Sequence, residues 1–238
     1  MSAVVEALGR CLVKGCTWQP LERVEAGVDG LAEDRLWSPV DEHLHCLRAT
    51  GMPELVGLEA PRSALDALGP GRDQTVHYYD RAVRASVHDG PLAQALSAAA
   101  GVPVRLARSR DGQRFIWSSP VSLLLRSELE EAGLPQDLAR YRANVVVDDR
   151  KAPLAPAPGQ RLRIGPVVLQ VERPLDRCIV INHDPVTGRR DHSLLGRLRP
   201  GALLAHGCRV VHPGELELGA GVQEVWGDSL GGVAAGRD

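Results

Sequence analysis

The segment RCIVINHDPVTG, residues 177–188, places a cysteine, a short apolar run and a turn in immediate succession. Cys178 stands before the apolar residues 179–181, and this run predicts a strand over 178–182. The Asp-Pro-Val-Thr-Gly sequence that follows is typical of a turn. The cysteine has two interpretations: a buried structural residue, or a reactive thiolate favoured by the neighbouring arginines Arg173 and Arg177.

A second polar stretch, Tyr141-Arg142-Ala143-Asn144, leads directly into the apolar residues Val145–Val147. The apolar run predicts a short buried strand, and the two-residue spacing places Arg142 and Asn144 on one face of it. An arginine and an amide on one face are suited to a phosphate or a polar heterocycle. A solvated strand face is the alternative interpretation.

Two helices are predicted. Ser118 and Ser119 precede a proline and a run with helical leucine spacing, which predicts a helix over about 119–132. The serines fit its N-cap, and a helix N-terminus is also an anion site. The second predicted helix covers 91–100, with Asp89 as its cap.

Short strands divided by turns make up most of the remaining chain. The pattern predicts hairpins over 75–87 and 162–171, the second turning at Gly165-Pro166, and strands with glycine turns over 202–225. Many short strands with two modest helices indicate a mainly β fold. We therefore expect a β-barrel core with helices attached.

The composition excludes several classes of protein. The 238 residues carry 28 basic and 30 acidic side chains, a formal net charge of −2. This balance argues against a nucleic-acid-binding protein, because phosphate binding of that kind requires a basic face. No apolar run reaches the roughly 18 residues of a membrane helix, and residues 1–10 lack the core of a secretory signal. We expect a cytoplasmic protein that does not contact a membrane.

Cysteine and lysine usage adds two observations. The chain has five widely spread cysteines: Cys11, Cys16, Cys46, Cys178 and Cys208. They contain no CxxC pair, which excludes a zinc ribbon or a thioredoxin motif, and free thiols are expected in a reducing compartment. Lys14 and Lys151 are the only lysines in an arginine-rich chain, which favours a specific role for Lys14.

Two histidine clusters have spacings that suit metal ligands. His206, Cys208 and His212 share one face of a predicted strand, as zinc ligands can. The segment His43–Cys46 offers a similar set. For the first set an ordinary strand is the favoured interpretation, because only three ligands are present. For the second, Leu44 and the surrounding charges favour a loop or strand edge.

Taken together and in order, these motifs resemble the MOSC family, named for the C-terminal domain of molybdenum-cofactor sulfurase. Within it they resemble the two-part type of the mitochondrial amidoxime-reducing component and its bacterial relatives. The resemblance covers nearly the whole chain. The N-terminal part is similar in Leu12-Val13-Lys14-Gly15-Cys16 and in the GL-x-x-DR-x-W stretch, residues 30–37. The C-terminal part is similar in Ser118-Ser119-Pro120, in residues 140–148 and in R-C-x-V-x-x-x-D-P-x-T-G, residues 177–188.

This resemblance implies a mixed, mainly β architecture in two parts. Residues 1–88 would form an N-terminal β-rich domain, and residues 89–238 a MOSC-type β-barrel domain with attached helices. It also implies a molybdenum cofactor, in which a molybdopterin dithiolene holds the metal and a phosphate forms the tail. Pyridoxal phosphate is not expected.

The same resemblance assigns roles to individual residues. Cys178 is implied as the thiolate ligand of molybdenum, the soft anionic sulfur that such a centre takes. Seven further residues are implied at the cofactor: Lys14, Arg35, Ser118, Ser119, Arg142, Asn144 and Arg177. The lysine and arginines of this set would bind the phosphate and pterin of the cofactor, and the serines and the asparagine amide would hydrogen-bond its tail and ring.

Several positions depart from the family pattern. Gly15 replaces a serine found in some relatives, Ala143 a proline and Tyr141 a phenylalanine. The usual E-x-x-W segment is missing, and a proline- and alanine-rich loop, residues 151–160, takes its place. The departures are compatible with the fold, but they leave the substrate open.

The implied activity is an oxidoreductase that reduces N-hydroxylated or N-oxide-type small molecules. Because no GxGxxG motif follows a strand, the electrons are expected from a separate partner protein. A sulfur transferase, sulfur carrier or C–S bond enzyme using a persulfide or thiolate on Cys178 is one alternative. A non-catalytic cofactor-binding module is another. Retention of Lys14 and Arg35 favours the oxidoreductase, because a simple sulfur carrier has no need for them.

Overall fold

The computed structural model describes residues 2–198 and 204–225. In chain order, its strands are β1 (Ala3–Arg10), β2 (Gln19–Leu21), β3 (Arg23–Gly27), β4 (Gly30–Leu31), β5 (Trp37–Val40), β6 (Arg72–Tyr78), β7 (Arg81–His88), β8 (Arg105–Ser109), β9 (Val121–Leu125), β10 (Val145–Asp148), β11 (Arg161–Ile164), β12 (Val167–Pro174), β13 (His206–His212), β14 (Gly214–Glu217) and β15 (Gly221–Val225). The α-helices are α1 (Arg62–Asp66), α2 (Pro91–Ala100) and α3 (Arg126–Glu131). Short 3-10 helices cover Pro53–Gly57, Leu138–Tyr141, Ile179–Asn182 and Leu195–Arg197.

Seven of the described strands close into a barrel. Their order is β1, β10, β9, β13, β12, β11, β15 and back to β1. The neighbouring strands are antiparallel except for β9 and β10, which are parallel. The mainly β, barrel-type fold predicted from the sequence is therefore confirmed.

The barrel is filled by alternating apolar side chains of its strands. Val145 and Val147 of β10, Leu162 and Ile164 of β11 and Leu169 of β12 lie in one buried cluster. Two-residue spacing places such side chains on one face of each strand, and closure turns those faces inward. The barrel core therefore follows directly from the alternating valine, leucine and isoleucine pattern.

A second unit is built around a four-stranded antiparallel sheet in the order β5, β8, β7, β6. One of its apolar clusters includes Leu12, Leu55, Leu96 and Leu106, so α2 and the 3-10 helix Pro53–Gly57 share a core. A three-stranded sheet, β14, β3, β4, packs instead against the barrel, because its Val24, Leu31 and Leu216 belong to the barrel's apolar cluster.

Strand pairing crosses the boundary predicted at residue 88. Strand β1 is part of the barrel, and β8 pairs with β5 and β7 in the four-stranded sheet. Strand pairing thus joins the two parts. The division into domains at residues 1–88 and 89–238 stays a prediction.

Several predicted elements are confirmed. β6 and β7 form the hairpin expected around residue 80, and β11 and β12 pair across the turn at Gly165-Pro166. Helix α2 covers the predicted residues and ends at Gly101, which adopts the left-handed conformation. Its cap prediction is wrong: Gly90 is the N-cap, and no side chain bonds there.

The helix predicted over 119–132 is wrong in its first half. Val121–Leu125 forms β9, which lies between β13 and β10 and is buried among barrel strands. Only Arg126–Glu131 is helical. A short apolar run fits a buried strand as well as a helix, and the pairing partners decide the outcome. Ser118 and Ser119 therefore do not cap a helix.

The strand predicted over 178–182 is also wrong. Ile179–Asn182 is a 3-10 helix that follows Cys178 directly. The tail prediction is confirmed by β13, β14 and β15, although residues 202–203 lie outside the described residues. Among the described residues, every helix is too short or too polar to cross a membrane.

Candidate functional site

One cavity of about 270 Å³ is lined by every residue that the sequence assigned to the cofactor. The members are Lys14, Arg35, Ser118, Ser119, Arg142, Asn144, Arg177 and Cys178. They come from separate loops, which follow β1, β4 and β12 or precede β9 and β10. The fold therefore brings together motifs that lie up to 164 positions apart in the chain (178 minus 14).

A buried carboxylate organises the inner wall of this cavity. Asp34 is fully buried and accepts hydrogen bonds from the Cys11 amide at 2.9 Å and from Nδ2 of Asn144 at 3.1 Å. It also pairs with the guanidinium of Arg35, which donates in turn to the Arg142 carbonyl at 3.3 Å. The carboxylate thus fixes one cationic side chain and ties three chain segments together.

Asn144 is fully engaged in this arrangement. Its Oδ1 accepts hydrogen bonds from the amide and the hydroxyl of Ser122, at 3.0 and 2.9 Å. Its Nδ2 donates to the Gly9 carbonyl as well as to Asp34. A side-chain amide has two donor and two acceptor positions, so all four are occupied. Asn144 positions its neighbours, and its implied hydrogen bond to the cofactor ring has no free group here.

Arg142 lines the cavity, but its backbone does not have the predicted strand conformation. It has a left-handed backbone, with φ 53°, at the end of the 3-10 helix Leu138–Tyr141, and β10 begins only at Val145. The prediction that Arg142 and Asn144 share a strand face is therefore wrong. One terminal nitrogen of Arg142 lies 3.2 Å from the Cys11 sulfur and also donates to the Cys16 carbonyl. Its other side-chain nitrogens bond to none of the described residues.

Lys14 lies among positive charges without a counter-ion of its own. Its Nζ lies 5.1 Å from the centre of the Tyr78 ring and forms no ion pair with any residue that the structure describes. Burial, together with the charges of Arg35 and Arg142, lowers the pKa of Lys14 to about 7. The cavity therefore holds cations that an anionic ligand would neutralise.

Two residues of the cavity wall carry buried polar atoms without partners among the described residues. The Ser119 side chain is only 7% exposed, and its Oγ has no hydrogen-bond partner in residues 2–198 and 204–225. Arg177 donates from Nε to the Leu204 carbonyl at 2.8 Å and from one terminal nitrogen to the Tyr141 carbonyl at 3.1 Å. Its second terminal nitrogen is buried and unpartnered within the same ranges, and burial lowers the pKa of Arg177 to about 10. Such groups are costly unless a ligand or water satisfies them.

The position of Ser119 depends on a glycine of the neighbouring strand. A Cβ atom on Gly207 would lie 2.3 Å from the Ser119 Oγ. The serine therefore packs against β13, whereas Ser118 next to it is exposed. Both serines line the cavity at the start of β9, and neither is at a helix N-terminus.

Cys178 is exposed in the cavity wall, and a buried arginine anchors the segment that follows it. Arg140 is 5% exposed and forms a two-pronged pair with Asp191, at 2.9 and 2.8 Å. It also donates to the carbonyls of Ile181 and His183. These bonds hold the backbone after the cysteine, so the thiol lies on a braced segment.

The Asp-Pro-Val-Thr-Gly segment is the predicted turn. Oδ1 of Asp184 accepts hydrogen bonds from the Val186 and Thr187 amides and from the Thr187 hydroxyl. These bonds hold the pKa of Asp184 below its ordinary value. Gly188 has φ +67° and lies so close to Pro53 that an added Cβ would be 2.9 Å from its carbonyl oxygen. The turn braces the Cys178 segment against the N-terminal part of the chain.

Sequence reasoning missed other parts of the cavity wall. Arg48, Tyr79 and Trp117 line it, and none of them belongs to a motif that the sequence analysis singled out. Arg140 stands inside a quoted motif, but its anchoring role depends on Asp191, 51 residues away. Contacts of that range leave no local signal.

The metal candidates based on histidine are not assembled. Within the described ranges, no group of three His, Cys, Asp or Glu side chains is placed to hold a metal. A pairing irregularity between Val168 and Leu169, opposite Val210 and His212, disturbs the alternation of β13. His206 instead pairs with Glu128 at 2.8 Å.

Residues 106–223 match the family model of the MOSC domain. The chain is a MOSC-domain protein. MOSC domains as a family are associated with the molybdenum cofactor, and the matched range contains the loops of Ser118, Arg142 and Cys178. Lys14 and Arg35 belong to the part of the chain before it.

Three solved structures are similar to this chain at low identity, and the first of them shares its fold. The YUAD protein from Bacillus subtilis has a TM-score of 0.50 and 13% identity, covering 94% of this chain and 96% of that one. A hypothetical protein has a TM-score of 0.44 and 11% identity, covering 95% and 68%. YiiM from Geobacillus stearothermophilus has a TM-score of 0.32 and 16% identity, covering 45% and 55%. No curated protein sequence matches this MOSC-domain chain.

Proposed function

We propose that this MOSC-domain protein binds a molybdenum cofactor in the cavity and reduces N-hydroxylated or N-oxide-type small molecules. The observation that carries the proposal is the content of a single cavity. It combines an exposed cysteine, a cluster of cations without sufficient counter-charge, and two buried polar groups without partners. That donor set suits a ligand with a metal at one end and a phosphate at the other.

The residues present fit such a ligand. Lys14, the free nitrogens of Arg142 and the unpartnered nitrogen of Arg177 would neutralise and bind a phosphate and a polar pterin. The hydroxyls of Ser118 and Ser119 would complete the hydrogen bonds of the tail. Arg35 contributes positive charge, although Asp34 already pairs with it.

Cys178 is the residue we assign to the metal. A thiolate is a soft ligand of the kind that molybdenum takes, and this cysteine is the exposed one among those in the described residues. When bound, the cofactor supplies a metal that cycles by two electrons and transfers an oxygen atom. The role of this chain is to bind it, to orient it through Cys178, and to keep the loop rigid through Arg140.

The proposed net reaction balances with an external electron donor. The N–O bond of the substrate is broken, two electrons and two protons are taken up, and the oxygen leaves as water. A separate redox protein supplies the electrons, because the sequence contains no nicotinamide or flavin motif. The resemblance to the amidoxime-reducing type supports this choice of substrate class.

Sulfur transfer through a Cys178 persulfide is the second candidate. The exposure of the thiol, next to the guanidinium of Arg177, favours it. Sulfur transfer, however, gives no role to the cations around Lys14 or to the buried hydroxyl of Ser119. The oxidoreductase accounts for both sets of residues.

Turnover with an artificial donor tests the proposal. Protein from a cofactor-sufficient host is mixed with reduced methyl viologen and benzamidoxime, and formation of benzamidine is followed. We expect turnover by the native protein and none by Cys178→Ala, with Cys46→Ala, a change at a cysteine outside the cavity, as the matched control. Absence of turnover together with a persulfide on Cys178 would replace this proposal with sulfur transfer.

A further inference from the structure

Two exposed aromatic rings lie in contact at the cavity. Trp117 is 60% exposed and Tyr79 is 43% exposed, and their ring centres are 4.0 Å apart. Aromatic residues are scarce in this chain, at 3% of the sequence, and Tyr78, Tyr141 and Phe115 are fully buried. An exposed pair that lines the cavity therefore stands out from the other described aromatic residues.

The pair is held in place before any ligand arrives. Tyr79 lies in the two-residue turn between β6 and β7 with φ 54°, a left-handed conformation that a bulky residue rarely adopts. Arg81, across that turn, donates to the Ile116 carbonyl at 2.7 Å. This bond ties the hairpin tip to the segment that carries Trp117, so the rings form a rigid platform.

A cation completes the platform. The guanidinium carbon of Arg48 lies 4.9 Å from the centre of the Tyr79 ring. Arg48 is exposed, lines the cavity and forms no ion pair with the residues that the structure describes. A guanidinium stacked on a ring keeps its edge free for a carboxylate.

We propose that Trp117, Tyr79 and Arg48 form the substrate-recognition part of the cavity, and that the substrate is a planar aromatic compound with a negatively charged substituent. The ring of the substrate stacks on the exposed Trp117 ring, which Tyr79 supports from a centre-to-centre distance of 4.0 Å, and its anionic group pairs with Arg48. Stacking favours flat π-systems over aliphatic groups of the same polarity. This inference rests on the proposed function for its reaction, but the recognition itself is a binding property.

Substrate pairs test the inference in the loaded protein. The probes are benzamidoxime, 4-carboxybenzamidoxime and the aliphatic acetamidoxime, and the readout is the ratio of kcat/KM between them. We expect Trp117→Leu to lower the aromatic-to-aliphatic ratio about tenfold, and Trp117→Phe to retain most of it. We expect Arg48→Gln to lower the ratio of 4-carboxybenzamidoxime to benzamidoxime about fivefold. Arg84→Gln, an exposed arginine outside the cavity, is the matched control and leaves that ratio unchanged.

The outcomes separate this inference from the proposed function. Unchanged ratios in Trp117→Leu overturn it, and so does loss of the pterin from that variant, because the rings then hold the cofactor. If the native protein turns over none of the three compounds, the proposed function fails and calorimetric binding of 4-carboxybenzamidoxime decides the inference. Weaker binding by Trp117→Leu and by Arg48→Gln supports it; equal binding, or none by the native protein, overturns it.

Discussion

The side-chain amide of Asn144 donates a hydrogen bond to the carboxylate of Asp34 at 3.1 Å, and both side chains are buried. These residues are 110 positions apart, so the bond joins the loop before β10 to the loop after β4. Three segments of the cavity wall are thus joined through one buried carboxylate.

Removal of that carboxylate is expected to destabilise the protein. Asp34→Ala leaves the buried Arg35 guanidinium without its carboxylate partner and two further donors, the Cys11 amide and Nδ2 of Asn144, without this acceptor, which costs about 3 kcal/mol of unfolding free energy. Urea denaturation measures it. Asp66→Ala, which removes an exposed carboxylate paired with Arg62, is the control and costs about 0.5 kcal/mol or less. Equal losses in the two variants would show that Asp34 does not organise the cavity.

A second prediction concerns the contact between Gly207 and Ser119. Gly207→Ala places a methyl group 2.3 Å from the Ser119 Oγ and forces the serine or β9 to move. We expect a loss of about 1–3 kcal/mol. The double variant Gly207→Ala/Ser119→Gly removes the clash and recovers part of the loss. A single variant as stable as the native protein would mean that the strands do not approach so closely.

The Arg140–Asp191 pair predicts a pH dependence of stability. The hydrogen bonds from Arg140 hold the pKa of Asp191 below its ordinary value. A carboxyl whose pKa is lowered on folding stabilises the fold at pH values above its unfolded-state pKa of about 3.9. This stabilisation is lost as the pH falls through the folded-state pKa. We expect Asp191→Asn to cost about 1 kcal/mol at pH 6, with the difference from the native protein shrinking below about pH 4.

Unfolding free energies at several pH values between 6 and 3 check this. Asp73→Asn, which changes an exposed carboxylate paired with Arg110, is the matched control. A difference between native protein and Asp191→Asn that stays constant down to pH 3 would contradict the assigned ion pair.

Anion binding is expected to follow the charge of Lys14. Its pKa is lowered to about 7 in the empty cavity, and a bound anion raises it again, so binding takes up a proton above pH 7. Sulfate, which does not titrate in this range, is therefore expected to bind roughly tenfold more weakly at pH 9 than at pH 6. Calorimetry in cofactor-free protein measures the affinity.

Lys14→Met removes that pH dependence and weakens binding at pH 6, whereas Lys151→Met, at the other lysine, does neither. In the absence of an anion, the lowered pKa makes the unfolded chain bind more protons than the folded one between about pH 7 and 10. The lysine contribution to stability therefore rises with pH over that window. Sulfate affinity that is equal at pH 6 and 9 would place Lys14 outside the anion site.

The sequence was sufficient to predict the barrel and part of the cavity wall. The apolar run 145–147 and the apolar residues in 162–171 are local signals of strands, and the motifs around Lys14, Arg142 and Cys178 carry the family resemblance that implied the cavity residues. The strand Val121–Leu125 was taken for part of a helix because the leucines of 119–132 have helical spacing, and its pairing with β10 and β13 on either side gives it extended geometry.

The failures at the cavity have the same physical origin. Asn144 was expected to contact the ligand, but its four hydrogen-bond positions are used by partners at least 22 residues away, namely Ser122, Asp34 and Gly9. Arg48 and Trp117 were missed because they belong to no motif and reach the cavity only through the tertiary fold. The sequence indicates which residue types line the cavity, whereas the role of each residue depends on tertiary contacts.

The molybdenum and pterin content of the purified protein tests the central claim most directly. Native protein from a cofactor-sufficient host is compared with Cys178→Ala and with Cys46→Ala as the control, by metal analysis and by fluorescence of the released pterin. We predict about one molybdenum and one pterin per chain in the native protein and the control, with molybdenum lost in Cys178→Ala while the variant unfolds at the native denaturant concentration. Native protein that carries neither molybdenum nor pterin, or a Cys178→Ala variant with the full metal content, would contradict the account.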